Sequence, residues 1–61
     1  MKVTIQIDCN TINELKLHLT EIRRQINVHE KKGLLSGDLA KEVIFNDGNC
    51  YGEHTVKIKG L

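Results

Sequence analysis

Two hydrophobic patterns follow one another in the first half of the chain. Between Lys2 and Cys9 apolar and polar residues alternate, and this period of two is typical of a half-buried strand. Beyond it, apolar residues recur at steps of three and four, as on one face of an amphipathic helix. Thr11 and Glu14 have the spacing of a capping box at its start, and the helix is expected to end near Val28. The predicted helical stripe consists of Ile12, Leu15, Leu19, Ile22 and Ile26.

The second half predicts a loop and a hairpin. Residues 29–39 show no period and carry two glycines, so we expect a loop in which Leu34 and Leu35 cover the core. Strands are predicted over about 40–46 and 49–59, joined by a type I′ turn at 47–48, where Asp-Gly tolerates positive φ. That turn would set Ile44 beside Tyr51 on the outer face of the sheet. It would also pair Phe45 with Cys50 on the inner face.

These elements predict one α+β domain over residues 1–61. The order is β-α-β-β, with a crossover between the first and second strands that is expected to be right-handed. If the third strand lies between the other two, every neighbour is antiparallel, in the order 1-3-2. One helix would then cover one face of a three-stranded sheet. The predicted core is aliphatic, formed by the helical stripe and by Val3, Ile5, Ile7, Val43, Phe45, Val56 and Ile58.

Composition suggests that this core is thin. The chain has 61 residues and an aromatic content of 3 %, with no Trp, and domains of this size commonly need a partner, a metal or disulfides for stability. Only two cysteines are present, so self-association is the expected solution. The net charge of +1 gives no overall attraction to nucleic acid or to an anionic membrane. The sequence has no apolar run of membrane-spanning length and no signal-peptide pattern, so we expect a cytoplasmic protein with reduced cysteines.

Cysteine and histidine residues give little support for catalysis. Cys9 and Cys50 are expected on the core face at one end of the sheet, as a redox pair or, more simply, as two small buried side chains. Cys50 and His54 would lie about 13 Å apart along a strand, too far for one zinc ion. His18 falls off the helical stripe and His29 falls in the loop. We therefore expect no enzyme activity, no cofactor and no metal site.

Two functional hypotheses are favoured over a redox role for Cys9 and Cys50. The first is a non-enzymatic interaction module that forms a homodimer, or binds another protein, through a surface containing Ile44, Tyr51 and Leu17, because tyrosine is common at interfaces. The alternative is an accessory nucleic-acid-binding protein with a basic pole that contacts phosphates. Its candidate residues are Arg23, Arg24, Lys31, Lys32 and Lys41. The two arginines also complement the helix dipole, which explains them without any ligand.

Overall fold

The protein is an α+β sandwich of one helix and one sheet. A computed structural model describes residues 1–33, 35 and 42–60. In chain order the elements are β1 (Lys2–Asp8), α1 (Ile12–Lys31), β2 (Glu42–Asn49) and β3 (Gly52–Lys59). The strands form one antiparallel sheet in the order β1-β3-β2, with α1 packed on one face. The predicted fold class and strand order are confirmed.

The start of α1 is the predicted capping box. The Thr11 hydroxyl accepts a hydrogen bond from the Glu14 amide at 3.1 Å. The Glu14 carboxylate in turn accepts from the amides of Thr11, at 3.1 Å, and Asn10, at 2.9 Å. Three amide groups at the helix start are thus satisfied by local side chains, which is why the helix begins here.

The predicted end of the helix near Val28 is wrong, because α1 continues to Lys31. The His29 ring donates from Nδ1 to the Gln25 carbonyl oxygen at 2.7 Å and stacks on Phe45 with 4.6 Å between ring centroids. These contacts hold the last turn against the sheet. Gly33 then adopts a φ of +74° and donates its amide to the Glu30 carbonyl, which ends the helix.

The hairpin turn lies three residues later than predicted. Asn49 pairs with Gly52, so the two-residue turn is Cys50-Tyr51. The Asn49 side chain accepts from the Tyr51 amide at 2.7 Å, and Gly52 has a φ of +117°. Asn in the first and Gly in the fourth position are typical of a type I turn, and this combination prevails over Asp-Gly.

The later turn changes the register but not the faces. Phe45 pairs with Val56 and not with Cys50, a shift of six residues along β3. Because six is even, the inner-face residues stay on the inner face. The buried apolar core among the described residues consists of Ile22, Phe45, Val56 and Ile58. Around it pack the half-buried side chains of Ile7, Ile26, Leu35 and Val43.

Leu35 thus covers the core as predicted. The remaining expectations for the connection between α1 and β2 fall on residues 34, 36–41 and 61, outside the described part of the chain. They include the position of Leu34, the turn at residues 36–38, the start of the second strand at Ala40 and the candidate phosphate contact of Lys41.

Candidate functional site: an uncovered strand and a buried histidine pair

The helix leaves β1 largely uncovered. A helix is about 10 Å wide, whereas three strands spaced about 4.8 Å apart need roughly 14 Å of cover. Contacts of α1 are concentrated on the central strand β3, where Val56 and Ile58 are buried. On β1 the inner-face residues Val3 and Ile5 remain 46 % and 44 % exposed. Their predicted place in the core is therefore wrong, because one helix cannot span the whole sheet.

One flank of α1 extends this apolar surface. The Gln25 amide donates to the Asp47 carboxylate at 3.5 Å, so the flank that carries Gln25 lies toward β2. The opposite flank lies on the side of β1. It carries Ile12 and Leu19, which are 68 % and 48 % exposed although the sequence predicted them to be buried. We call the combined surface of Val3, Ile5, Ile7, Ile12, Leu15 and Leu19 the open apolar face.

The outer face of β1 carries an unusual pairing of charges. Lys2 lies opposite Lys59 of β3, and Asp8 lies opposite Glu53. Like charges directly across an antiparallel pair are unfavourable. β1 is also an edge strand, so within residues 1–33, 35 and 42–60 no strand pairs with its other side. Each end of β1 thus presents an excess of one charge at an open sheet edge.

The interface predicted from the sequence is not one surface. Ile44 is 53 % exposed on the outer face of β2 and pairs with Lys57. Tyr51 lies in the hairpin turn, so the predicted cross-strand pair of Ile44 and Tyr51 is wrong because the register differs. Tyr51 and Leu17 do come together, at a surface pocket of about 320 Å³ between α1 and β2.

The residues of the predicted basic pole are partly neutralised. Arg24 forms an ion pair with Glu21, and this hydrogen bond lowers the pKa of Glu21 and raises that of Arg24. Arg23 is exposed on α1, and Lys31 and Lys32 are exposed at its end.

The two cysteines differ in environment. Cys9 is half-buried and Cys50 is exposed in the hairpin turn, and both are free. The expectation that both are buried on the core face is wrong for Cys50, because the turn that carries it lies beyond the strands.

The polar centre of the molecule is a histidine pair that the sequence analysis missed. His18 of α1 and His54 of β3 are each only 2 % exposed. Their Nδ1 atoms lie 2.8 Å apart, and their rings meet edge to face. The Nε2 atom of His18 lies 3.0 Å from the Tyr51 carbonyl oxygen, and that of His54 lies 2.8 Å from the Gln25 side-chain oxygen. Burial, followed by the charge of His18, lowers the pKa of His54.

A signal for this pair is present in the sequence. His18, Ile22, Gln25 and His29 follow the same steps of four and three as the apolar stripe. This second stripe, rotated around the helix, is the one that faces the sheet, since His18 and Ile22 are buried and the other two half-buried. Because His18, Gln25 and His29 are polar, a pattern of apolar residues alone does not show this stripe.

Comparison of the chain with protein-family models, with curated proteins and with solved structures gave no match. Across residues 1–33, 35 and 42–60, no group of three or more His, Cys, Asp or Glu side chains could hold a metal ion. Within the same residues, α1 is not long and apolar enough to cross a membrane. The candidate sites therefore rest on the geometry of the chain itself.

Proposed function

We propose that the protein is a self-associating interaction module, a homodimer joined through the open edge of β1. The observation that carries this proposal is the open apolar face beside that edge. This face carries six apolar side chains of β1 and α1, and four of them are more than 40 % exposed. A set of exposed apolar side chains on one side of a small domain is typical of a contact with another molecule.

The sequence of β1 is complementary to itself. If two copies pair antiparallel about a two-fold axis at Ile5, each residue of β1 faces the residue of the partner subunit for which the two residue numbers add up to ten. Val3 then faces Ile7 of the partner subunit, and Ile5 faces Ile5 of the partner subunit, all on the inner face. Thr4 faces Gln6 of the partner subunit on the outer face. The inner and outer patterns therefore match without any mismatch of polarity.

Charge favours a second copy as the occupant. The same register sets Lys2 opposite Asp8 of the partner subunit, and the pair occurs twice because of the symmetry. The positive charges of Lys2 and Lys59 in one protomer then lie beside the negative charges of Asp8 and Glu53 in its partner. The unfavourable like-charge pairs within each chain are thereby offset across the interface. An unrelated partner would have to reproduce this charge order, whereas a second copy carries it already.

The dimer would be a six-stranded antiparallel sheet with both helices on one face. Its two uncovered β1 strands would lie side by side, flanked by the apolar sides of the two helices. A standard interface buries about 800 Å² on each partner, or about one sixth of the 4658 Å² surface of this chain. Edge pairing also removes an exposed strand edge, which is otherwise prone to aggregation.

The test is sedimentation equilibrium of the wild type and of two matched variants. Ile5→Asp brings two carboxylates together at the proposed axis, and we expect a monomer. Ile44→Asp introduces the same change at a similarly exposed residue of β2, and we expect a dimer. Circular dichroism checks that each variant is folded. A monomeric wild type at high micromolar concentration, or loss of the dimer only in Ile44→Asp, would refute the proposal.

A further inference from the structure

The hydrogen bonds of the histidine pair impose a condition on its protons. The Tyr51 carbonyl oxygen can only accept, so His18 must donate from Nε2. The Gln25 amide nitrogen points to the Asp47 carboxylate, which turns the Gln25 oxygen toward His54. His54 therefore also donates from Nε2. Both Nε2 atoms carry a hydrogen before the contact between the rings is considered.

A neutral histidine carries only one ring hydrogen. If both rings were neutral, two Nδ1 lone pairs would face each other at 2.8 Å with nothing between them. That contact is repulsive, and at 2 % exposure water cannot relieve it. A hydrogen on one Nδ1 atom turns the same contact into a short N–H···N hydrogen bond.

We propose that His18 and His54 form a buried site that binds one proton, which lies between their Nδ1 atoms and gives the pair a single positive charge. The four ring nitrogens then carry three hydrogens, and every polar atom of the pair is satisfied. This assignment is independent of self-association, because the pair lies under the helix and not at the open edge of β1.

The surroundings of the pair favour one positive charge but not two. Glu21 of α1 and Asp47 of β2 both act to raise the pKa of His54, although burial and His18 outweigh them. Glu21 is itself paired with Arg24, the cation on that side of the helix. Asp8 of β1 and Glu53 of β3 lie on the outer face of the sheet, opposite the side on which the two histidine rings lie. Burial is the main cause of the lowered pKa of His54, and the repulsion between two imidazolium ions that a second proton would bring into contact adds to it.

The bound proton also has a structural role. His18 connects α1 to the hairpin turn through the Tyr51 carbonyl, and His54 connects β3 back to Gln25 of α1. The N–H···N bond closes this chain of contacts between the helix and the central strand. Loss of the proton would reintroduce the repulsion at its centre. The histidine pair is therefore a pH-sensitive contact between the helix and the sheet.

The alternative arrangement is a neutral pair in which Gln25 is reversed. Its amide nitrogen would then donate to His54 Nε2, and His54 would donate from Nδ1 to His18. This arrangement also forms an N–H···N bond, but it leaves His54 Nε2 without a hydrogen. It would also turn the Gln25 oxygen toward the Asp47 carboxylate. The hydrogen on His54 Nε2 thus separates the two possibilities.

The experiment is long-range proton–nitrogen NMR of the ¹⁵N-labelled protein, which reports which ring nitrogens carry hydrogen, from pH 8.5 to pH 5. At pH 7.0 we expect both Nε2 atoms to be protonated and more than half of the molecules to carry the third hydrogen. An unperturbed histidine is about one quarter protonated at that pH. A bare His54 Nε2 at pH 7.0 would overturn the proposal, and so would one equivalent of bound metal in the purified protein.

A Gln25→Glu variant makes the test independent of the orientation of the amide. A carboxylate can only accept, so His54 is forced to donate from Nε2. We expect the hydrogen pattern of the wild type, with the third hydrogen retained to a higher pH. If the variant acquires a hydrogen on His54 Nε2 that the wild type lacks, the wild-type pair is neutral and the proposal fails. This variant keeps both histidines, so the test does not depend on tolerating their loss.

Discussion

Reversal of the charges at the two ends of β1 separates the stability of the protomer from that of the dimer. Lys2→Asp replaces the like-charge pair with Lys59 by an opposite-charge pair within the chain. Asp8→Lys does the same opposite Glu53. Neither variant should therefore destabilise the folded monomer. In the proposed dimer, by contrast, each single reversal places two like charges across the interface at both ends.

The size of the effect follows from exposed cross-strand pairs. Such a pair contributes roughly 0.5 kcal/mol when attractive, and about the same with opposite sign when repulsive. A single reversal changes two symmetry-related pairs by about 1 kcal/mol each. The total of about 2 kcal/mol corresponds to a weakening of the dimer by about 30-fold. The double variant Lys2→Asp with Asp8→Lys restores both attractive pairs and should recover affinity near that of the wild type.

The assay is a concentration series in sedimentation equilibrium, which gives the dissociation constant of the dimer. Urea unfolding gives the stability of the folded monomer. Added salt should reduce the difference in dimer affinity between the variants, because these charges are exposed to solvent. The reasoning is refuted if the double variant dimerises as weakly as the single ones. It is also refuted if Lys2→Asp has the dimer affinity of the wild type at low salt.

Four further predictions concern stability, each measured by urea unfolding. Gly52→Ala should cost roughly 3 kcal/mol, because a Cβ atom there would lie 2.2 Å from the Asp8 carbonyl oxygen at a φ of +117°; unchanged stability would exclude this turn. Thr11→Ala should cost about 1 kcal/mol through loss of the capping box, and Thr11→Ser, which retains a hydroxyl, should cost less. Ile22→Ala should cost about 2–5 kcal/mol in the core, far more than Ile12→Ala on the exposed flank. The pKa of His54 lies below its unfolded value of 6.5. Stability should therefore fall as the pH drops from about 6.5 through that lower pKa, by at most about 1.4 kcal/mol per pH unit for this one group, and a stability that does not change with pH would contradict this prediction.

Local chemistry in the sequence predicted the start of the helix and the strand order. The capping box at Thr11 and Glu14 is recognisable because both partners lie within one helical turn. The order β1-β3-β2 agrees with the expectation that the third strand lies between the other two, so that every neighbour is antiparallel. The capping box depends on contacts that are close in sequence, whereas the strand order depends on the directions of the strands, since β1 and β3 pair from Lys2 with Lys59 onward.

The hairpin could not be placed by the same reasoning. Residues 46–52 contain two turn signals, Asp47-Gly48 and the pair formed by Asn49 and Gly52, and either is acceptable alone. Both registers keep the apolar residues on the inner face, so burial does not choose between them. The deciding contacts are distant in sequence. The Tyr51 carbonyl accepts from His18, and Gly52 lies against the backbone of Asp8 without room for a side chain.

The helix shows why the open apolar face could not be predicted from the sequence. Its apolar stripe correctly predicts a helix, but only part of the stripe, Ile22 and Ile26, packs in the core against the sheet. The buried side is rotated toward His18 and Gln25, whose polar groups are satisfied only by contacts with β3 and the hairpin turn. That rotation moves Ile12 and Leu19 out beside the uncovered strand β1. One stripe thus contributes to two surfaces, the core of its own domain and the open apolar face. A search for apolar periodicity detects both surfaces as one stripe. The positions of the buried histidines show which part of the stripe belongs to the core and which part belongs to the open apolar face.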